Sequence, residues 1–280
     1  MKKPSLSIQV GLFTLARVMI NSGYRMVYPF LSVFARGLGV DVETFSLVLT
    51  GRSLMGLLSP LLAPLADRRG RKVSLLLGLG IYTLGAGIVV LWPSLTTFVL
   101  ALLLTTLGNI VFLPAMQAYL GDRIPYARRG RVLAITELSW SLAFIAGVPL
   151  LGWLLAGQGW PAPFALLAGL GVLFLVLIAF FVPNGRPQVQ QDASGAVLRP
   201  DGLRQVLAIP AVLAALVMSF TFTTANELVN LMFGVWLEDS FHLQLEALAA
   251  SAAVLGLAEL GGESLTVALV DRLGKRRSVT

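Results

Sequence analysis

The 280 residues contain no cysteine and a single histidine, His242. The first absence excludes disulfides, thiol nucleophiles and zinc–thiolate centres. The second excludes a histidine-rich metal site and leaves carboxylates alone as ligands for a hard cation; no metal and no cofactor are expected. Charge is scarce as well. Only 12% of the chain is charged against 56% hydrophobic, with a mean hydropathy of +0.83, whereas soluble domains carry about 25% charged residues. No soluble core could hide that much apolar surface, so most of it must face hydrocarbon.

The apolar residues come in long runs. Hydropathy predicts eight spans near 8–34, 44–65, 74–92, 96–120, 132–156, 162–182, 208–236 and 246–269. Lys2-Lys3 before an apolar run has the look of a secretory signal, but the run continues past Arg17 to about Phe34 without a small-residue cleavage site. It is therefore predicted to persist as the first span. Trp92, Trp153, Trp160 and Trp236 fall near span ends, where an amphipathic indole sits comfortably. Gly78, Gly80, Gly85 and Gly87, and Gly147, Gly152 and Gly157, lie in or around apolar runs with no strand before them and no lysine after them. They read as helix-packing positions and not as phosphate loops.

A net charge of +7 and a pI near 10.2 would suit nucleic acid. The basic residues instead form short clusters between spans, so no nucleic-acid partner is expected and the charge is a topology signal. Seventeen of the 21 Lys and Arg residues fall on one side of the eight spans: Lys2 and Lys3, then 68–72, 123–131, 186–204 and 272–277. Arg36 alone lies in a loop on the other side, while Arg17, Arg25 and Arg52 lie within spans. The positive-inside rule then puts the N-terminus in the cytoplasm. The polar stretch from Pro183 to Arg204 lacks apolar periodicity and reads as a linker. The predicted organisation is a six-helix bundle over 1–184, a cytoplasmic linker over 185–205, and the start of a second bundle over 206–280.

Two loops carry nearly the same text. Asp67-Arg68-Arg69-Gly70-Arg71-Lys72 follows span 2 and Asp271-Arg272-Leu273-Gly274-Lys275-Arg276 follows span 8, 204 residues later. Such a spacing marks an internal duplication. The pattern Asp-Arg-x-Gly-basic-basic between two spans resembles the cytoplasmic signature of the major facilitator superfamily. Asp122-Arg123-Ile124-Pro125 with Arg129-Gly130-Arg131 is similar to that family's loop between helices 4 and 5, and Gly147-Val148-Pro149-Leu150-Leu151-Gly152 to the Gly-Pro-rich helix 5 of its antiporters. There are departures. Ala63 and Val267 stand where the signature usually begins with glycine, and Val148 where a glycine usually precedes the proline. Leu102-Leu103-Leu104 stands where many proton-coupled exporters carry an arginine, so antiport through that arginine is not expected. The resemblance implies an all-α polytopic membrane protein of twelve helices, of which this chain would supply eight and be truncated after helix 8.

Charged groups within hydrocarbon cost about 2.5–3.5 kcal/mol each on insertion scales, so they mark function or fixed pairing. In span 1, Arg17, Asn21, Tyr24 and Tyr28 recur at helical steps with Arg25 at their margin; in span 7, Thr223, Asn226, Glu227 and Asn230 do the same. The resemblance implies that these faces line a central cavity. Arg17 and Asn21 are then expected to hold a polar or anionic solute, and Arg25 to pair with Glu227 when the outward gate closes. The competing expectation is that the arginines make fixed pairs or snorkel. Glu259 and Glu263, one turn apart in span 8, are candidates with Glu227 for proton coupling, since desolvation favours the protonated form of a carboxylate. They serve equally as packing partners for an Arg or Asn of a neighbouring span. Arg52 and Glu137 are expected to make structural pairs.

For the loops, the resemblance implies a cytoplasmic gate: Asp67 capping a helix of the opposite half, and Arg71 reaching Asp122. Asp271, Arg272, Gly274 and Lys275 of the second copy are expected to belong to the same gate and signature loops, while Arg68, Arg69 and Lys72 are also expected to set topology and meet anionic headgroups. Gly70 and Gly274 are expected to turn with positive φ. The sequence thus predicts a secondary transporter of the inner or plasma membrane. It would move a small solute by alternating access, with efflux favoured, H+ as a candidate coupling ion, and membrane lipids as its surroundings. A non-transporting receptor or assembly partner is the alternative. A lipid-modifying enzyme ranks lower, because no nucleophile, acid–base pair or metal set converges near a membrane surface.

Overall fold

The computed structural model describes residues 5–62, 69–184 and 209–273, with side chains described as far as Leu265. Among these residues every regular element is helical. Asp67, Arg68, Gly274 and Lys275, and the linker expected over 185–205, lie outside the described residues, as do the side chains of Asp271 and Arg272.

The first predicted span is interrupted. Helix α1 (Leu6–Arg25) starts at Ser5, whose hydroxyl accepts from the Ile8 amide, and α2 (Leu31–Leu38) ends at Gly39 with φ 69°. Between them the chain turns around Pro29. A proline has no N–H to continue the ladder to the Arg25 carbonyl, and Tyr28 N donates to that carbonyl instead, at 3.3 Å. The second span is interrupted for the same reason. Helix α3 (Val42–Leu54) passes through a 3₁₀ turn at Met55–Leu58 into α4 (Ser59–Leu62). Pro60 cannot donate to Gly56, whose carbonyl accepts from Ser59 N.

Helices α5 (Arg71–Leu91) and α6 (Leu95–Arg123) follow, the second opened by a capping box between Ser94 and Thr97. Gly70, at φ 89°, makes the turn into α5. The next crossing is built from α7 (Tyr126–Glu137), α8 (Ser139–Leu142), a π-helical turn at Ala143–Gly147 and α9 (Val148–Gln158). Pro149, just after the π turn, again supplies no donor. Helices α10 (Ala162–Phe181), α11 (Pro210–Phe241) and α12 (Leu245–Leu273) are the last of the described elements.

Among the described residues, six stretches are long and apolar enough to cross a membrane: Arg71–Leu91, Leu95–Arg123, Arg128–Gln158, Ala162–Phe181, Pro210–Phe241 and Leu245–Leu265. The first two expected spans are the interrupted ones, and Arg17, Arg25 and Arg52 reduce their apolarity.

Helices α1 to α3, α5, α6, α9 and α10 share one core, with Val132 of α7 packed against it. α5 and α6 touch backbone to backbone, because a Cβ at Gly78 would lie 2.7 Å from the Gly108 carbonyl oxygen. Gly80 and Gly87 of the same glycine-rich run have open space around them, so only part of that run serves packing. At the end remote from the basic loops, Phe34, Phe45, Phe98, Trp160 and Phe164 form one aromatic cluster with ring centroids 5.4–6.4 Å apart. At the basic end, the Tyr119 hydroxyl donates to Gln9 and Arg71 Nε lies 3.1 Å from Asp122.

Helix α12 enters this body through Leu248, Ala249 and Ala252, all buried. Gly256 lets it meet the π turn, where a Cβ would fall 2.8 Å from Ile145 N. Helix α11 is different. Gly234 is its one buried residue, and from Pro210 to Asn226 every residue except Val212 is exposed. It meets the body from Glu227 to Glu238, at the end remote from the basic loops.

Candidate functional site

Helix α1 carries a ladder of polar side chains one turn apart, and each rung reaches a different element. Arg17 is buried and gripped by Glu137, with Nη1 to Oε1 at 2.6 Å and Nη2 to Oε2 at 3.0 Å; Nη1 also donates to the Thr136 carbonyl. One turn on, Asn21 Nδ2 donates to Ser139 Oγ at 3.1 Å. One more turn brings Arg25. It donates to Glu259 at 2.5 and 2.7 Å and to the Trp140 carbonyl, and its guanidinium lies over the Phe144 ring at 3.4 Å. Paired forks of this kind combine charge with fixed geometry.

The last rungs hold a carboxylate of α11. Tyr28 donates its one proton to Glu227 Oε2 at 2.5 Å, and its oxygen accepts from Arg52 Nη2 at 2.8 Å. Tyr24 gives Glu227 Oε1 a longer bond of 3.4 Å, and its ring lies 4.0 Å below the Arg52 guanidinium. Arg52 also donates to the Tyr24 carbonyl. Glu263, one turn from Glu259, accepts from the Ser141 hydroxyl at 2.9 Å.

These contacts revise two expectations. Arg25 pairs with Glu259 and not with Glu227, because Gly256 and Ala252 seat α12 directly on the π turn and so bring Glu259 up to Arg25. Glu227 is taken by the two tyrosines. Arg17, expected with Asn21 to hold a solute, is neutralised within the body by Glu137, and Asn21 is engaged by Ser139.

The polar face of α11 divides in the same way. Asn230 donates to Asn226 at 2.8 Å, with Asn226 exposed, whereas Thr223 and Glu227 line a crevice of about 480 Å³ with Tyr28, Ser46, Thr50 and Ser53. Lys72 Nζ donates to the Ala179 carbonyl.

Three further parts of the site are not marked as such by periodicity or by the loop motifs. Ser139, Trp140 and Ser141 form a polar step in an apolar run and receive Asn21, Arg25 and Glu263 between them; a Ser-Trp-Ser triplet at mid-span was the available signal. Arg36 pairs with Glu238 at 2.6 Å at the end remote from the basic loops. Gly234 faces the turn at Pro29, where a Cβ would sit 2.5 Å from the Tyr28 carbonyl oxygen. Only its place in the fold makes that glycine significant.

Helices that cross a membrane, joined across their interior by ion pairs and tyrosine–carboxylate bonds, define a polytopic integral membrane protein with a charged junction between two groups of helices. The sequence pattern of the Major Facilitator Superfamily matches residues 13–280, and the chain belongs to that family. It is 30% identical to the uncharacterized MFS-type transporter YwfA of Bacillus subtilis, over 98% of this chain and 66% of that one. It is 26% identical to the inner membrane transport protein YdhP of Escherichia coli, over 78% of this chain and 56% of YdhP. A multidrug resistance protein B homolog of Mycobacterium tuberculosis is 26% identical over 70% of this chain and 37% of its own. The chain thus spans about two thirds of YwfA and less of the others. In fold it is similar to a bacterial homolog of the human lysosomal transporter Spinster in its inward-facing, unoccupied conformation. The TM-score is 0.81 at 15% identity, covering 99% of this chain and 64% of that one.

Proposed function

We propose that the chain is part of a secondary transporter of the cell membrane that moves a small solute by alternating access. Residues 1–184 would form one bundle, 185–205 the linker, and 206–280 the start of the second bundle, with the N-terminus in the cytoplasm. The observation that carries this reading is where the two groups of helices meet. Arg25 to Glu259, Tyr28 to Glu227 and Arg36 to Glu238 join α11 and α12 to the first body from mid-helix to one end. Towards the basic loops α11 is exposed. A junction held by ionisable side chains suits alternating access, because each link can be remade or broken by a proton or a charged solute. The neighbouring fold is that of a transporter described as inward-facing, which fits closure on the side away from the basic loops.

Efflux is the favoured direction, in keeping with the multidrug names among the relatives, and YdhP is named for the inner membrane. Protons are the proposed coupling ion, with Glu227 the candidate carrier among the described residues. It is held by neutral tyrosyl hydroxyls and has no arginine on its own oxygens. Solute flux into proteoliposomes at stepped external pH tests the proposal. Glu227→Gln is expected to abolish the pH dependence of the rate, and an unchanged rate and pH profile would remove Glu227 from the mechanism. Lipid turnover without flux would instead identify a membrane enzyme, and neither signal a receptor.

A further inference from the structure

Arg17 and Arg25 each have a carboxylate; Arg52 has none within ion-pair distance among the described residues. It is nonetheless only 1% exposed. Its Nη atoms are used by Tyr24 and Tyr28, but its Nε–H is buried without an acceptor, and the Thr106 hydroxyl is buried without a partner as well. Both groups border one small cavity, shared with Asn109 and walled by Ile20, Tyr24 and Tyr82, with an interior of about 10 Å³. Buried polar groups without a protein partner are commonly satisfied by ordered water. A water needs room of about 10–15 Å³ and two to four polar neighbours. The cavity offers three, and it is too small for a solute group or a hydrated ion.

We propose that this cavity binds one internal water, bridging Arg52 Nε, Thr106 Oγ1 and the Asn109 amide, and that Arg52 is thereby a positioning residue for Tyr28 and Glu227. The water fixes the third edge of the guanidinium. Its Nη2 then occupies the Tyr28 oxygen, so the one phenolic proton is directed to Glu227. A continuous hydrogen-bonded path runs from α6 through water, Arg52 and Tyr28 to α11, linking the interior of the first bundle to the first helix of the second. This inference concerns hydration and side-chain placement, and it stands or falls whether or not the protein moves a solute.

Radiolytic hydroxyl-radical footprinting of the full chain in nanodiscs tests it, because radicals formed from a bound water oxidise the side chains around it. Tyr82, 1% exposed, borders the cavity; Tyr119, 0% exposed and bonded to Gln9, is the dry control. Tyr82 is expected to be oxidised several-fold faster than Tyr119. Thr106→Val, which removes the hydroxyl at constant shape, is expected to reduce the Tyr82 yield several-fold, and Thr106→Ser to retain it. Equal yields at the two tyrosines would overturn the bound water. The positioning role is read from a cysteine placed at Asn230, one turn beyond Glu227, in a chain with no cysteine of its own. Its labelling should quicken in Thr106→Val and return to the parent rate in Thr106→Ser. Identical rates in both variants would leave Arg52 without influence on α11 and overturn that half of the proposal.

Discussion

Arg25 and Glu259 meet across the junction of the two helix groups, 234 positions apart in the chain, through a two-pronged contact at 2.5 and 2.7 Å. Arg25 is 2% exposed and lies between the rings of Trp140 and Phe144. Burial of this kind makes the arginine depend on its carboxylate, since an unpaired guanidinium there would keep its charge without hydration.

Glu259→Gln is therefore expected to destabilise the protein. Breaking a fully buried pair costs about 3–5 kcal/mol; the Glu259 side chain is 32% exposed, so water recovers part of this and about 1–3 kcal/mol is expected. Thermal unfolding in detergent measures it. A melting temperature equal to that of the parent would mean that Arg25 finds other partners.

The Arg36–Glu238 pair should behave otherwise. The Arg36 side chain is 62% exposed, and such pairs contribute about 0–1 kcal/mol. Arg36→Glu is expected to leave the melting temperature nearly unchanged while repelling Glu238 and loosening the end of α11. A cysteine introduced at Leu243 should label faster in Arg36→Glu and slower again in the charge-swapped double variant. Equal labelling in all three would show that the pair does not hold that end.

Gly234 sets how closely α11 approaches the turn at Pro29. In Gly234→Val the side chain would overlap the Tyr28 and Pro29 carbonyls, which a Cβ alone meets at 2.5 and 2.8 Å. The helix must move out, and the Tyr28–Glu227 bond with it. Cross-linking of cysteines at 36 and 238 by a short bifunctional thiol reagent, long enough to replace the Arg36 and Glu238 side chains, should be efficient in the Gly234 parent and lost in Gly234→Val. Retention would place the pivot elsewhere.

Asp41 caps α3; a hydrogen bond from the Thr44 side chain, and with it one from the Thr44 amide, which donates to its carboxylate at 2.6 Å, hold its pKa below the usual aspartate value. The sign follows from the preference of the folded state for the ionised form. The cap is fully present above the unfolded pKa of about 3.9 and is lost as pH falls through the lower folded value. The protection factor at Thr44, taken against the intrinsic exchange rate at each pH, should fall on acidification in the parent. Asp41→Asn should keep the amide protected without that pH dependence, and Asp41→Ala should leave it unprotected throughout.

Much of this protein is legible in one dimension. Spans three to eight begin and end within a few residues of their expected limits, because hydrocarbon imposes a length and a composition on any helix that crosses it. The repeated loop signature pointed to the family from text alone. The interruptions of spans one and two were less visible. Pro29 and Pro60 were there to be read, but a proline within an apolar run is compatible with a continuous kinked helix as well as with a break.

Pairing was the part that the sequence could not decide. Periodicity put Arg17, Asn21, Tyr24 and Tyr28 on one face of the first expected span, and Glu227 and Glu259 on faces of their own helices, because 3.6 residues per turn is a local property. Which carboxylate meets which arginine depends on the rotation and depth of each helix against its neighbours. Those were set by contacts far along the chain: Gly256 on the π turn, Gly234 on the Tyr28 carbonyl, and Glu137 closing on Arg17 from 120 positions away. The sequence determined that charges would lie inside the membrane. Only tertiary packing decided that Glu137 neutralises Arg17, that Glu259 takes Arg25, and that Glu227 is left to two tyrosines and the arginine behind them.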